Sequence, residues 1–429
     1  MKNNFKNYIT FWFSQSVSQL GSSMTSFALI LWSYMQEGSA MSVSLMTFFN
    51  YIPYIIVSLF AGAFVDKHNK KTIMLVSDSI AAVCSGIIFV LCISNELQIC
   101  HIYMVNFMIG FVNAFQGPAS AIVIGKMVPR DKLSQASGLS AFSNNLITVL
   151  APVLASALFS YGGLRFLILI DLLSFVGAFL TLIFIIKFPE ECGGVEERSM
   201  LDGCLQGIYF LKRNRAIWGI IITMALINFF SRLTYENILS PMILARSGND
   251  SVILGIVNAA MGIAGIAGGV LVASGKFSRD SVKMIYISAI FSFLLGDLMM
   301  GVGRNVIVWS FAGVAASLPI PFIIAGQNVI LYKSVPEEIQ GRVFAVRNAI
   351  QFSTIPVGIL LGGFLADYVF EPFMLTDNVI SAALHCLVGS GKGSGMAVMF
   401  LCTGILGSIS SLISYNLKDI QRLSKNETL

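Results

Sequence analysis

Twelve times along this chain an apolar run appears that is long enough to cross a lipid bilayer, which takes about 20 residues of helix. The runs cover roughly 9–34, 42–65, 73–94, 99–126, 136–160, 164–187, 216–245, 252–274, 282–302, 305–333, 342–369 and 394–416. They are called helices 1 to 12 below. Hydrophobic residues make up 56% of the 429 and charged residues only 11%, against about a quarter charged in a soluble domain. The mean hydropathy is +0.80. No soluble fold hides that much apolar surface, so the solvent is lipid. The runs are unbroken and lack the alternation of a membrane barrel. The fold class is therefore an all-α membrane protein.

Orientation follows from the cations. If the tails and the 2–3, 4–5, 6–7, 8–9 and 10–11 connections face the cytoplasm, they hold 22 of the 27 Lys and Arg. Both termini are then cytoplasmic. Arg165, Arg246, Arg304 and Lys392 fall outside, and Arg232 lies within a helix. The four tryptophans, Trp12, Trp32, Trp218 and Trp309, fall near helix ends and read as interface anchors. The first run has no exit for signal cleavage, so no leader is expected. Val128-Pro129-Arg130-Asp131 returns as Val335-Pro336-Glu337-Glu338, and the same shift carries the start of helix 1 onto that of helix 7. Two six-helix pseudo-repeats are implied, 1–187 and 216–429, with a site at their interface. The connection 188–215 places Leu201, Leu205, Ile208 and Leu211 on one face and reads as a linker with an interfacial helix.

Polar residues inside such helices are costly and informative. Helix 7 carries Asn228, Arg232, Glu236 and Ser240 at every fourth position, one polar stripe with a cation and an acid in reach of each other. Protonating Glu236 would release Arg232; a purely structural ion pair is the other reading. Asp171 in helix 6, Asp78 in helix 3 and Asp297 in helix 9 are further buried acids. Gln15 and Gln19, Asn113, and Gln327 with Asn328 suit a cavity wall, though helix–helix hydrogen bonds explain them as well. Pro152 and the glycines Gly262, Gly265, Gly269, Gly358 and Gly362 mark expected close helix approaches. Gly389 to Ser394 has a phosphate-loop flavour, but Cys386 stands at the first glycine of that pattern and Gly393 at its hydroxyl residue. It reads as a flexible extracellular loop. The seven cysteines form no Cys-x-x-Cys pair and have no His grouping, so no metal, cofactor or disulfide framework is expected.

Between helices 2 and 3 the chain turns through Gly62-Ala-Phe-Val-Asp66-Lys67-His68-Asn69-Lys70-Lys71. This Gly-x-x-x-Asp-(Lys/Arg)-x-x-(Lys/Arg)-(Lys/Arg) pattern resembles the signature loop of the major facilitator superfamily of secondary transporters. Ile170-Asp171-Leu172, Asn237-x-x-x-Pro241, Gly341-Arg342-Val343-Phe344 and Gly363-Phe-x-Ala-Asp367 are similar to its bacterial drug-efflux branch, macrolide exporters above all. The resemblance implies rocker-switch alternating access, with Gly62, Asp66, Lys67, Lys70 and Lys71 forming the conformational switch loop. Two features depart from that branch. Ile109 stands where proton-coupled members carry an arginine, and the helix 5 antiporter glycines are replaced around Ala151-Pro152 and Ala155.

The expectation is an exporter of amphipathic, macrolide-like small molecules in a bacterial cytoplasmic membrane, with protons as the coupling partner and Glu236 as their carrier. Arg232, Asn228, Asp171 and Asp297 join it as candidate coupling or substrate residues. An importer or exporter of a nutrient or siderophore has the same helices and stays open; a lipid scramblase would move lipid without a gradient. No convergent catalytic set is present, so the chain reads as a non-enzyme, monomeric and without nucleic-acid partners.

Overall fold

The computed structural model describes residues 2–128, 133–184, 208–274, 280–336 and 339–427. All regular structure among them is helical. Ten stretches are long and apolar enough to cross a membrane. The one over Phe142–Phe184 is 43 residues long; it turns at Gly163, whose φ of 65° lies in the left-handed region. Counting its two arms separately, and adding the preceding Lys2–Glu37 helix, gives twelve crossings. Leu201 and Leu205 of the expected linker helix, and most of the Val-Pro repeat, lie outside the described residues.

Two compact units divide the chain. One comprises Met1–Gly38 with Leu45–Glu196, the other Ser39–Ser44 with Glu197–Leu429. The first is built on two apolar clusters. One joins Met24, Ala28, Ile88, Ile102, Ala151 and Leu167; the other joins Tyr8, Phe11, Met74, Ala119 and Leu182. The second unit has a cluster around Ile220, Met224, Ile285, Tyr286, Phe293 and Ile330, and another around Leu211, Ile217, Ile221, Leu331 and Val343. The first turn of helix 2 belongs to this second unit. There the Asp367 carboxylate accepts from Ser39 Oγ (2.7 Å), Ala40 N (3.1 Å) and Met41 N (2.8 Å). A residue distant in sequence thus supplies the anionic cap that a helix N-terminus needs.

Several crossings that read as unbroken runs are interrupted. Helix 7 consists of Arg215–Thr234 and Leu239–Ser247. Pro241 has no N–H for the carbonyl of Asn237, and its ring crowds that carbonyl, so the chain loosens over 235–238. Helix 9 widens into a π-helical turn at Ser292–Asp297, and helix 11 into another at Ala366–Phe370 before ending at Met374. Helix 10 is interrupted between Ser317 and Ile320 at Pro319. Trp309 corrects its reading as an anchor: it is 1% exposed, with the Arg246 guanidinium carbon 6.0 Å from its ring centre. The connection after helix 11 is also more ordered than a loop, holding a helix at Val379–Val388. Gly389, Gly391 and Gly393 behind it all take positive φ, which gives those glycines a backbone role.

Candidate functional site

The break in helix 7 places the polar stripe. Arg232 occupies the last turn before it and Glu236 lies within it, and their side chains form an ion pair, 33% and 26% exposed. Asn228 is half-buried one turn earlier. The stripe does not run on as a regular helical row to Ser240, which belongs to the segment beyond the break. Helix 11 packs on this region through glycine. The Cβ of Arg232 and the carbonyl oxygen of Phe229 each lie 3.3 Å from where a Cβ on Gly358 would sit, and Gly362 abuts the Leu233 carbonyl and the Asn237 amide. Asn237, fully buried in the break, donates to Ser44 Oγ (2.5 Å) and to the Ile359 carbonyl (2.8 Å). A carboxylate in the break is thus paired with a guanidinium on the helical turn before it, neither of them fully buried. An added proton would neutralise the Glu236 carboxylate and release Arg232 from the pair.

Asp297 belongs to the same neighbourhood. It is 0% exposed, sits in the π-helical turn of helix 9 and accepts from Thr403 Oγ1 at 2.7 Å. Tyr235, the residue before Glu236, stacks edge-on against Phe400 at 5.2 Å, and its hydroxyl acts on the Asp297 carboxyl without reaching hydrogen-bond geometry. In the first unit, Asp171 of helix 6 plays the matching part. It is 4% exposed and accepts from Ser22 of helix 1 (2.8 Å) and Ser85 of helix 3 (3.0 Å). Each unit therefore buries one acid where its first, third and sixth crossings meet. Asp78 accepts from Gln116 Nε2 at 2.5 Å.

The family model described as Major Facilitator Superfamily matches residues 11–359. The chain belongs to that superfamily. It is 26% identical over 396 residues to Macrolide efflux protein A of Streptococcus pyogenes, covering 90% of this chain and 96% of the relative. The Multidrug efflux pump Tap of Mycolicibacterium fortuitum is 23% identical over 363 residues, covering 78% and 83%. Among solved structures, the nucleoside transporter NupG superposes with a TM-score of 0.70 at 12% identity, covering 96% of this chain and all of that one. That likeness concerns the fold.

In this major facilitator chain the connection between helices 2 and 3 is short. Helix 2 ends at Lys67 and helix 3 begins at Lys70, with Asn69 Oδ1 accepting from Lys71 N and Thr72 N as its cap. Lys71 Nζ reaches the Ile183 carbonyl at 3.0 Å, at the end of helix 6. Lys70 is half-buried beside it, and the side chains of Gly62, Asp66 and Lys67 lie outside the described residues. Gln19 and Asn113 are exposed, whereas Gln327 is buried. The glycines also separate. Gly269 corrects its reading as a packing position, since nothing lies within 4 Å of an added Cβ. One position earlier, helix 8 turns a different face inward, and it is Gly268 that meets the Leu318 carbonyl. Gly262 and Pro152 are half-buried.

A cavity of about 520 Å³ opens beside the helix 3–4 connection, lined by Trp32, Gln36, Asn95 and Arg165. None of the expected site residues borders it. Arg165 uses its donors there on the Cys92 carbonyl (3.1 Å) and Asn95 Oδ1 (2.6 Å), closing the end of helix 3. Sequence reading missed Arg347. Counted among cytoplasmic loop cations, it lies within the described length of helix 11 and bonds to Asn328 of helix 10 at 3.0 Å. The available signal was its position six residues into the run assigned to helix 11.

Proposed function

We propose that this chain is a secondary active exporter of amphipathic small molecules, working by alternating access and drawing on inward proton flow. The six-helix halves 1–187 and 216–429, joined through 188–215, act as its moving bodies. The observation that carries the coupling part is the Arg232–Glu236 pair, whose acid sits on the loosened segment of helix 7. An acid that is both paired and partly open to solvent can trade its cation for a proton without being stranded in lipid. Efflux as the direction is supported by the printed names of the relatives, macrolide and multidrug efflux proteins. The membrane potential supplies about 2.3 kcal/mol per charge per 100 mV, enough for a roughly fifty-fold gradient per proton.

The test is substrate-induced proton movement in proteoliposomes, with erythromycin and other amphiphiles, for the wild type and Glu236→Gln. Proton movement in the wild type and none in the variant is the expected result. Full proton-dependent efflux by Glu236→Gln would remove helix 7 from the coupling. Substrate movement without protons in both proteins would leave a carrier and remove antiport.

A further inference from the structure

Arg347 is a half-buried cation that joins none of the ion pairs among the described residues. Its guanidinium has five N–H donors. Three are used: Nη1 on Asn328 Oδ1 (3.0 Å), and Nε and Nη2 on Asn348 Oδ1 (3.1 and 2.9 Å). The Phe344 ring centre lies 5.1 Å from the guanidinium carbon. The described stretch of helix 10 (Ile320–Ser334) and that of helix 11 (Gln340–Leu365) contain no Asp or Glu. Among the described residues no carboxylate makes an ion pair with Arg347.

The groups around it are donors as well. Gln351 lies one turn deeper on the same face of helix 11, 8% exposed, and its Nε2 has no acceptor. Buried donors of this kind almost always find partners. Helix 11 packs along helix 7, while helix 10 packs on helices 8 and 9. Helices 10 and 11 meet here through the edge-on contact of Tyr332 with Phe344 (5.0 Å), and Arg347 reaches Asn328 across this seam.

We infer that Arg347, with Asn328, Asn348 and Gln351 around it, is a binding site for an anionic oxygen group, a carboxylate or a phosphate. Two guanidinium N–H groups remain for a pair of oxygens, the geometry in which arginine holds such anions. Neutral amides brace the cation without cancelling its charge, so an ammonium group is repelled there and an acid is drawn in. The anion has two chemical sources: the acidic end of a carried amphiphile, or the phosphate of an anionic lipid entering the seam. The first source rests on the reading of the chain as an amphiphile carrier; neither depends on proton coupling.

The experiment is equilibrium binding with no ion gradient, to the full-length protein in phosphatidylcholine nanodiscs at neutral pH. Fusidate and its methyl ester, the same amphiphile with and without the charge, are the probes, and empty nanodiscs correct for partitioning. In parallel, native mass spectrometry measures retained phosphatidylglycerol. The wild type is expected to prefer fusidate over the ester by roughly tenfold or more. Arg347→Gln is expected to abolish that preference, and Arg347→Lys and Asn328→Ala to retain part of it. Should Arg347→Gln not fold, those two milder variants carry the comparison. No preference for fusidate, with phosphatidylglycerol retained by the wild type and lost from the variant, keeps the anion site and assigns it to lipid. Binding of neither probe counts against the amphiphile reading and leaves the lipid arm to decide Arg347. Charge preference that survives in Arg347→Gln, or its absence for both fusidate and phosphatidylglycerol, overturns the site.

Discussion

Asp297 separates what a buried acid does for the fold from what it does for transport. It is closed off from solvent, with Thr403 as its hydrogen-bond donor and the Tyr235 hydroxyl beside it. Helix 12 and the 306–317 segment of helix 10, which pack on its turn, carry no charged residue. An amide fits that surrounding: its oxygen accepts from Thr403 and its NH2 faces Tyr235. Asp297→Asn is therefore expected to match the wild-type melting temperature in detergent. Asp297→Ala leaves Thr403 with the Phe400 carbonyl but opens a void and strands Tyr235, a loss of about 1–3 kcal/mol. Equal melting of Asn and Ala variants would show that the turn does not depend on this contact. The sequence singles Asp297 out because an acid in an apolar run is rare. It could not tell that Tyr235, one residue from Glu236, would be its neighbour, because that contact is made by the break in helix 7.

Among the helices, period and length expose the crossings but not their interruptions. Pro241 and Pro319 stand in the sequence as possible breaks, yet proline inside a membrane helix is often tolerated. The π-helical turns at 292–297 and 366–370 have no composition signal at all. Glycines show the same limit: Gly269 and Gly362 look alike in sequence, and only packing distinguishes them. A side chain at Gly362 would drive into the Leu233 carbonyl and the Asn237 amide, whereas one at Gly269 meets open space. Gly362→Leu is expected to lose about 1–3 kcal/mol or fail to yield monodisperse protein, while Gly269→Ala melts at or slightly above the wild type. Fluorescence-detected size exclusion after a heating series measures both. A tolerated Gly362→Leu would mean that helices 7 and 11 separate more easily than their packing indicates.

For the whole molecule, orientation rests on cation placement alone. Thiols report it independently. Cys100, at the start of helix 4, and Cys386, in the Val379–Val388 helix, are free and exposed, whereas Cys84 is buried and Cys92 and Cys402 are partly so. Both exposed thiols lie on connections assigned to the outside, the 3–4 and 11–12 turns. Cys192 and Cys204 belong to the 6–7 connection assigned to the cytoplasm. A membrane-impermeant maleimide applied to intact cells is expected to label the wild type, and Cys100→Ser with Cys386→Ser together to remove that signal. Labelling of Cys192 and Cys204 should require lysis. The reverse pattern would place the lysine-rich 2–3 and 6–7 connections outside, against the charge bias of membrane insertion.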